Sequence, residues 1–270
     1  MYDCIIIGMG SAGMSAGIYS KRLGMNTLLI DEVMPGNNIS HIKNIENYLG
    51  FKSISGSDLA YNMFDHINSM DIQYKIARVE NLIINDDKTI NVITSKGEFL
   101  TRGLIICSGK KFIKSGILNE DKYIGKGVSY CTICDAPLYK DKDVVFIGND
   151  EDEIKYLNNI CKSVYVIDSS LKAVEFLGDE YLTGVKLSSG EIISCDGAFV
   201  CLGSNASYNF IRNLGITNDK GYVLVDKNMK TNIDYVYAAG DVIDKSLYQI
   251  ITAASDGAIA ATSLSRELNK

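Results

Sequence analysis

The chain has 270 residues, 46% hydrophobic and 22% charged, with only two prolines; that is enough for one large or two modest domains with their own cores. A formal net charge of −6 argues against nucleic acid or an anionic membrane as partner, because either demands a basic face. Apolar runs such as Cys4–Ile7 and Leu104–Cys107 are far too short to span a bilayer.

The N-terminal MYDCIIIG enters a strand at once, which leaves no room for a leader peptide and makes the cytoplasm the expected location. A strand over Asp3–Ile7, a glycine-rich turn, a helix to about Gly24 and a strand over Asn26–Asp31 follow in order. Within the turn, Gly8-x-Gly10-x-x-Gly13 carries the dinucleotide-binding spacing, with Ser11 and Ala12 between its glycines. Such glycines permit a tight turn and let a pyrophosphate approach the backbone, while the helix start supplies N–H groups and positive dipole. Asp31 ends the second strand, where an acid accepts hydrogen bonds from a ribose, and Glu32 follows it.

From Gln73 to Cys107 apolar and polar residues alternate through three runs, KIARVENLIIN, TINVITS and FLTRGLIICSG. The spacing predicts a small antiparallel meander that feeds a buried strand. Cys131-Thr132-Ile133-Cys134-Asp135 comes next. Two thiols three positions apart at a helix start lie within disulfide reach, and the helix dipole favours a thiolate at the first. Half a zinc site is the alternative, but it needs another Cys or His pair. His41 and His66, the two histidines, are isolated in sequence and expected at the surface. The remaining cysteines (Cys4, Cys107, Cys161, Cys195 and Cys201) sit in apolar patterns and read as small core residues. An inert Cys131/Cys134 pair stays open at this point.

A second strand–Gly–helix–strand pattern covers Asp143–Ile147, Gly148, a helix to about Cys161, and Ser163–Asp168. Its fingerprint is damaged: Gly148-Asn149-Asp150-Glu151-Asp152-Glu153 keeps one glycine and sets four acids where a pyrophosphate would sit. Only 15 positions separate Asp168 from Thr183, too few for a crossover helix and a strand. The chain then returns to a buried strand over Asp234–Ala239 and a final helix. Ile250, Ile251, Ala254, Ala258, Ala261, Leu264 and Leu268 are expected to form the buried face of that helix. The fold class is α/β with two Rossmann-like nucleotide-binding-type domains. A dinucleotide-binding domain with a parallel sheet and small meander spans 1–113 and 207–270, and a trimmed second domain carrying C-x-x-C spans 114–206.

GVSYCTICDAPLY resembles the active-site stretch of the low-molecular-weight thioredoxin reductases, and GNNISHIKNIENYLGF at 36–51 resembles their flavin-contacting loop. Cys107-Ser108-Gly109 stands where they carry Ala-Thr-Gly, and TNIDYVYAAGDVID followed by Gln249-Ile250-Ile251-Thr252 resembles their second flavin motif. The resemblance implies FAD as the cofactor, with Asn38, Asn47, Gly109, Gly240, Asp241, Gln249 and Ile250 joining the first motif as contacts. Asp241 would hold the ribityl chain, and the helix from Gln249 would point its positive end at the flavin. Cys134 would face the flavin, Cys131 would attack the substrate disulfide, and Asp135 would move the proton. Asn38, Leu49 and Ala136 depart from the family's Gln, Pro and Gly.

The damaged second motif is most like that of the ferredoxin-dependent flavin thioredoxin reductases, which do without NADPH. Where the NADPH-using relatives carry an H-R-R-type cluster for the 2′-phosphate, this chain has Asp168-Ser169-Ser170. The resemblance implies ferredoxin or flavodoxin as donor, thioredoxin as substrate and a homodimer. A docking face for an acidic donor is expected around Lys110, Lys111, Lys114, Lys122, Lys126, Lys140 and Lys142, diluted by Glu120, Asp121, Asp141 and Asp143. Two alternatives stand beside this reading: an NAD(P)H-dependent disulfide reductase with a degenerate site, to which Asp168 at a strand end points, and a non-catalytic redox-sensing flavoprotein.

Overall fold

The computed structural model describes residues 1–40, 42–168, 171–205 and 209–269; His41 and Ser169-Ser170 lie outside them. The chain divides into two compact units, Met1–Lys111 with Asn205–Lys270, and Phe112–Ser204, each junction falling slightly before the position expected from sequence.

In the first unit, β1 (Tyr2–Ile7) leads through the glycine turn into α1 (Ser11–Arg22) and β2 (Thr27–Asp31). A short α2 (Asn37–Ser40) and the longer α3 (Gly56–Ser69) follow. The Ser55 side chain caps α3 by accepting the Asp58 N–H. Strands β3 (Gln73–Ile76), β4 (Val79–Ile84), β5 (Ile90–Thr94) and β6 (Gly97–Ile106) come next.

The first of the three alternating runs therefore holds two strands. Gln73–Ile76 pairs parallel with β2, and the antiparallel meander begins only at Val79. Ten-residue β6 serves both patterns: Gly97–Thr101 pairs antiparallel with β5, and Thr101–Ile106 parallel with β1. In β1, Ile5 and Ile7 face one core and Cys4 and Ile6 the other, so this central strand reads as one continuous apolar run.

The second unit starts within the connector β7 (Lys111–Phe112) and continues with α4 (Glu120–Tyr123), β8 (Val128–Ser129) and α5 (Thr132–Asp135), which runs into a 3₁₀ turn at Ala136–Tyr139. Then come β9 (Asp143–Gly148), α6 (Glu151–Asn158) and β10 (Ser163–Ile167). In place of a crossover helix stand three antiparallel strands, β11 (Ala173–Gly178), β12 (Leu182–Leu187) and β13 (Ile192–Ser194). β14 (Gly197–Cys201) completes a parallel sheet in the order β10-β9-β14-β8. Phe176, Val185 and Leu187 cover one face of that sheet with Val145 and Ile147. Leu157 of α6 and Ala136 cover the other with Val144 and Phe146. Burying a side chain of this size contributes about 1.5–3 kcal/mol.

The chain leaves through β15 (Ser204–Asn205), which pairs with β7, and a 3₁₀ turn at Asn209–Leu214. β16 (Val236–Ala238) adds parallel to β6, and α7 (Ile250–Leu268) closes the first unit. The buried face of α7 is Ala253, Gly257, Ala260, Ala261, Leu264 and Ser265, which corrects the expected face: Ile251 is exposed and Ala254 and Ala258 are half-buried. Packing distance decides this. A Cβ added to Gly257 would lie 2.0 Å from the Ala12 carbonyl oxygen, so α1 and α7 meet through small residues at a spacing that larger side chains would block. No helix of the described residues is long and apolar enough to cross a membrane.

Candidate functional site

The first unit brings the two cofactor motifs together. Gly8 has φ +104, and a Cβ there would lie 2.2 Å from the Cys107 carbonyl oxygen, so only glycine fits the turn. Gly10 caps α1 with no side-chain hydrogen bond, and a Cβ on it would meet nothing within 4 Å. The turn is therefore open on the side of Gly10, while Ser11, Ala12 and Gly13 behind it are buried; the first N–H groups of a helix have no partner within the helix itself. Asp31 is half-buried; its carboxylate accepts the Met9 N–H at 2.6 Å and the Val33 N–H at 3.3 Å. Burial raises its pKa above the ordinary range, and those two donors oppose the rise. Glu32 beside it is exposed.

The second motif lies against the first. Gly240, at φ +82, stands so close to Ala12 that an added Cβ would fall 2.7 Å from the Ala12 Cβ, and Ser15 Oγ donates to the Ala254 carbonyl at 2.7 Å. Asn47 Nδ2 donates to Gln249 Oε1 at 3.0 Å, joining residues 202 positions apart. Gln249 is also the N-cap of α7, in a capping box with Thr252. Ile250 packs against Ile39, Ile45 and Leu59, which docks the 36–51 loop on the start of α7. Asn38 and Leu49 of that loop are exposed, and Gly109 has φ +70.

Asp241 Oδ1 is buried with no hydrogen-bond partner among the described residues. Lys245 Nζ forms an ion pair with it at 3.6 Å, beyond hydrogen-bond reach, and pairs more closely with Asp256 at 2.7 Å. Burial raises the Asp241 pKa, with Lys245 and Lys110 pulling it back. Lys110 lies over the Tyr248 ring at 3.9 Å. Sequence reading missed Lys245, Asp256 and Tyr248; their one signal is nearness to Asp241 and Gln249. The uncapped α1 start, the open face at Gly10 and the orphaned Asp241 oxygen fit an anionic dinucleotide that brings its own hydroxyl donors.

The redox motif sits in the second unit. Cys131 and Cys134 form a disulfide, and Cys131 Sγ accepts the Cys134 N–H at 3.3 Å. Asp135 is largely buried, which raises its pKa, while a hydrogen bond from Ser129 Oγ at 2.6 Å lowers it. Ser129 was not legible as a site residue. Ala136 is fully buried. Of the other cysteines, Cys4, Cys107, Cys161 and Cys195 are buried and Cys201 is half-buried. His66 is exposed.

At the damaged motif, Asp150 caps α6, accepting N–H groups of Asp152 at 3.0 Å and Glu153 at 3.1 Å. The helix start thus satisfies its own donors with its own carboxylate. The expected docking lysines are partly engaged. Lys114 pairs with Asp121 at 2.6 Å, and Lys122 and Lys142 donate to the Gly178 and Leu138 carbonyls. Glu120, expected as an exposed acid among them, is instead buried and accepts N–H groups of Ser115 and Gly116 and the Tyr130 hydroxyl.

A sequence model of pyridine nucleotide-disulphide oxidoreductases matches residues 2–169 and 165–257. The chain is 32% identical to a thioredoxin reductase of Bacillus subtilis (strain 168), covering 98% of this chain and 94% of that protein. That alignment runs over 298 positions against the 270 residues here, so the relative carries stretches this chain lacks. The crystal structure of a thioredoxin reductase from Streptococcus pyogenes MGAS5005 superposes with TM-score 0.93 at 28% identity, covering 100% of this chain and 98% of that one. A ferredoxin-flavin thioredoxin reductase from Clostridium acetobutylicum gives 0.61 at 32% identity, covering 99% and 98%. The chain belongs to the pyridine nucleotide-disulphide oxidoreductase family and is a disulfide oxidoreductase with FAD as its cofactor.

Proposed function

We propose that this flavoprotein is a thioredoxin reductase driven by reduced ferredoxin, or by a flavodoxin in its place, and not by NADPH. The observation that carries the donor assignment is the start of α6. Asp150 already occupies the N–H groups there, and Glu151, Asp152 and Glu153 fill the first turn with like charge, which repels a dinucleotide phosphate. The names of the relatives support thioredoxin as substrate, and that of the Clostridium acetobutylicum structure supports ferredoxin.

On this reading Gly8, Gly10, Ser11, Ala12, Gly13 and Asp31 hold the adenosine and pyrophosphate of FAD, and Asp241, Asn47, Gln249 and Ile250 the flavin end. FAD supplies the capacity to take electrons singly and release them in pairs. Cys131, whose sulfur receives the Cys134 N–H, attacks the substrate disulfide. Cys134 is the partner thiol, and Asp135 handles the proton. A plant-type ferredoxin near −400 mV and a thioredoxin near −270 mV differ by about 130 mV, roughly 6 kcal/mol for two electrons, so the transfer runs downhill.

The test is anaerobic bleaching of the flavin band with NADPH, NADH or enzymatically reduced ferredoxin, each added alone. Bleaching by ferredoxin only, followed by reduction of thioredoxin, is the expected result. Fast bleaching by micromolar NADPH or NADH overturns the donor assignment and returns Asp168, at the end of β10, to the role of a nicotinamide-site acid.

A further inference from the structure

Ser129 is the last residue of β8, two positions before the disulfide, and its side chain is buried. Its hydroxyl donates to Asp135 Oδ2 at 2.6 Å and accepts the Cys131 N–H at 3.1 Å. A longer contact to the Cys131 carbonyl, 3.4 Å, competes for the same proton, but the short bond to a carboxylate is the stronger. A serine hydroxyl has one proton and two lone pairs, so these contacts fix its rotor. Asp135 is pinned from a second side by its own N–H, which donates to the Cys131 carbonyl at 3.2 Å. Its Oδ1 accepts no hydrogen bond from the described residues. One buried hydroxyl thus ties the carboxylate to the peptide of the attacking cysteine.

We propose that Ser129 is a positioning residue for disulfide exchange, holding Oδ2 of Asp135 against the Cys131 peptide so that Oδ1 is the oxygen that exchanges the proton. The proposal rests on Asp135 being the acid/base of the reaction. In that reaction the Cys131 thiolate attacks a substrate sulfur, forming a mixed disulfide and releasing one substrate thiolate. Cys134 then attacks Cys131 Sγ, closing Cys131–Cys134 and releasing the second. The two protons of the enzyme dithiol end on the two substrate thiols, and Asp135 relays one of them. The enzyme dithiol is oxidised and the substrate disulfide reduced, two electrons each.

The test uses holoenzyme reduced with dithiothreitol, so that the electron donor does not enter. The rate of Cys131 alkylation by iodoacetamide is followed from pH 5 to 10 by mass spectrometry. Asp135 ionisation should appear as an inflection in this profile. Ser129→Ala should move the inflection up by about one pH unit, because the lost donor had favoured the carboxylate. Ser129→Thr keeps the hydroxyl and should leave it in place. In the double variant with Asp135→Asn, Ser129→Ala should add nothing. If Asp135→Asn removes the inflection but Ser129→Ala does not move it, Ser129 has no positioning role and the proposal is overturned. If Asp135→Asn itself leaves the inflection intact, the acid/base assignment beneath it fails. A Ser129→Thr shift as large as that of alanine also overturns the proposal, by showing a packing effect rather than a hydrogen bond.

Discussion

Replacing Gly10 with alanine separates two reasons for having glycine in the β1–α1 turn. Its backbone, φ −78 and ψ −170, suits any residue, and the added Cβ meets no heavy atom within 4 Å. The apoprotein therefore bears no steric cost. Restricting the unfolded chain contributes about 0.4–1 kcal/mol, and losing a glycine N-cap costs a comparable amount. The apoprotein should melt within about 3 °C of the parent. On the proposed binding mode the methyl group would nonetheless stand where the FAD pyrophosphate approaches the start of α1 to hydrogen-bond. Losing one charge-assisted bond at about 1.5–3 kcal/mol weakens FAD about ten- to a hundredfold. Quenching of FAD fluorescence on titration with apoprotein measures the affinity, and a thermal melt of the same sample measures stability. An unchanged FAD Kd would falsify the cradle; a collapsed melt with unchanged affinity would show that Gly10 is structural. Gly8→Ala cannot make this distinction, because its Cβ strikes the Cys107 carbonyl oxygen.

Asp241→Asn should raise the melting temperature of the apoprotein at pH 7 while weakening FAD binding. Burial raises the folded-state pKa of Asp241 above its ordinary 3.8, so ionisation costs stability at any pH above that raised value. The cost disappears as pH falls through it toward 3.8, and melts from pH 4 to 8 should show the advantage of the variant closing on the acid side. Asp150→Ala removes the α6 cap and should destabilise the protein by about 1 kcal/mol, read in urea melts. It should not confer NADPH oxidation; rapid oxidation by this variant would mean that one side chain, not the whole loop, blocks the nucleotide. Cys131→Ser and Cys134→Ser should each lower thioredoxin reduction more than about a thousandfold in a coupled thiol assay, and a single variant with near-parental turnover would remove the pair from the reaction.

Features set by local spacing were legible in the sequence. The turn at Gly8 and Gly10, the Cys131–Cys134 disulfide and the acidic start of α6 each depend on residues within a few positions of one another. What escaped depends on partners distant in sequence. Gln73–Ile76 forms a strand because β2 offers a parallel edge, and nothing in its own alternation names that partner. The inward face of α7 was misjudged because weighting by hydrophobicity favours isoleucine, whereas the close approach of α1 selects Gly257, Ala253 and Ala260. The missing crossover helix was readable from chain length, but not the three antiparallel strands that replace it. Near the disulfide, Ser129 and Glu120 are ordinary polar residues until folding buries them against Asp135 and Tyr130.

The seam between α1 and α7 also bears on how the molecule is made. One helix precedes residues 112–204 along the chain and the other follows them, while residues 112–204 form a unit from one unbroken stretch. Domains tend to close as their chain emerges from the ribosome. The unit bearing the disulfide can therefore close during synthesis, but the nucleotide cradle must wait for Gly257 and its neighbours. Until then the apolar flank of α1 around Ala12 and Ala16 stays uncovered, an interval in which a chaperone or an early supply of cofactor has most to contribute.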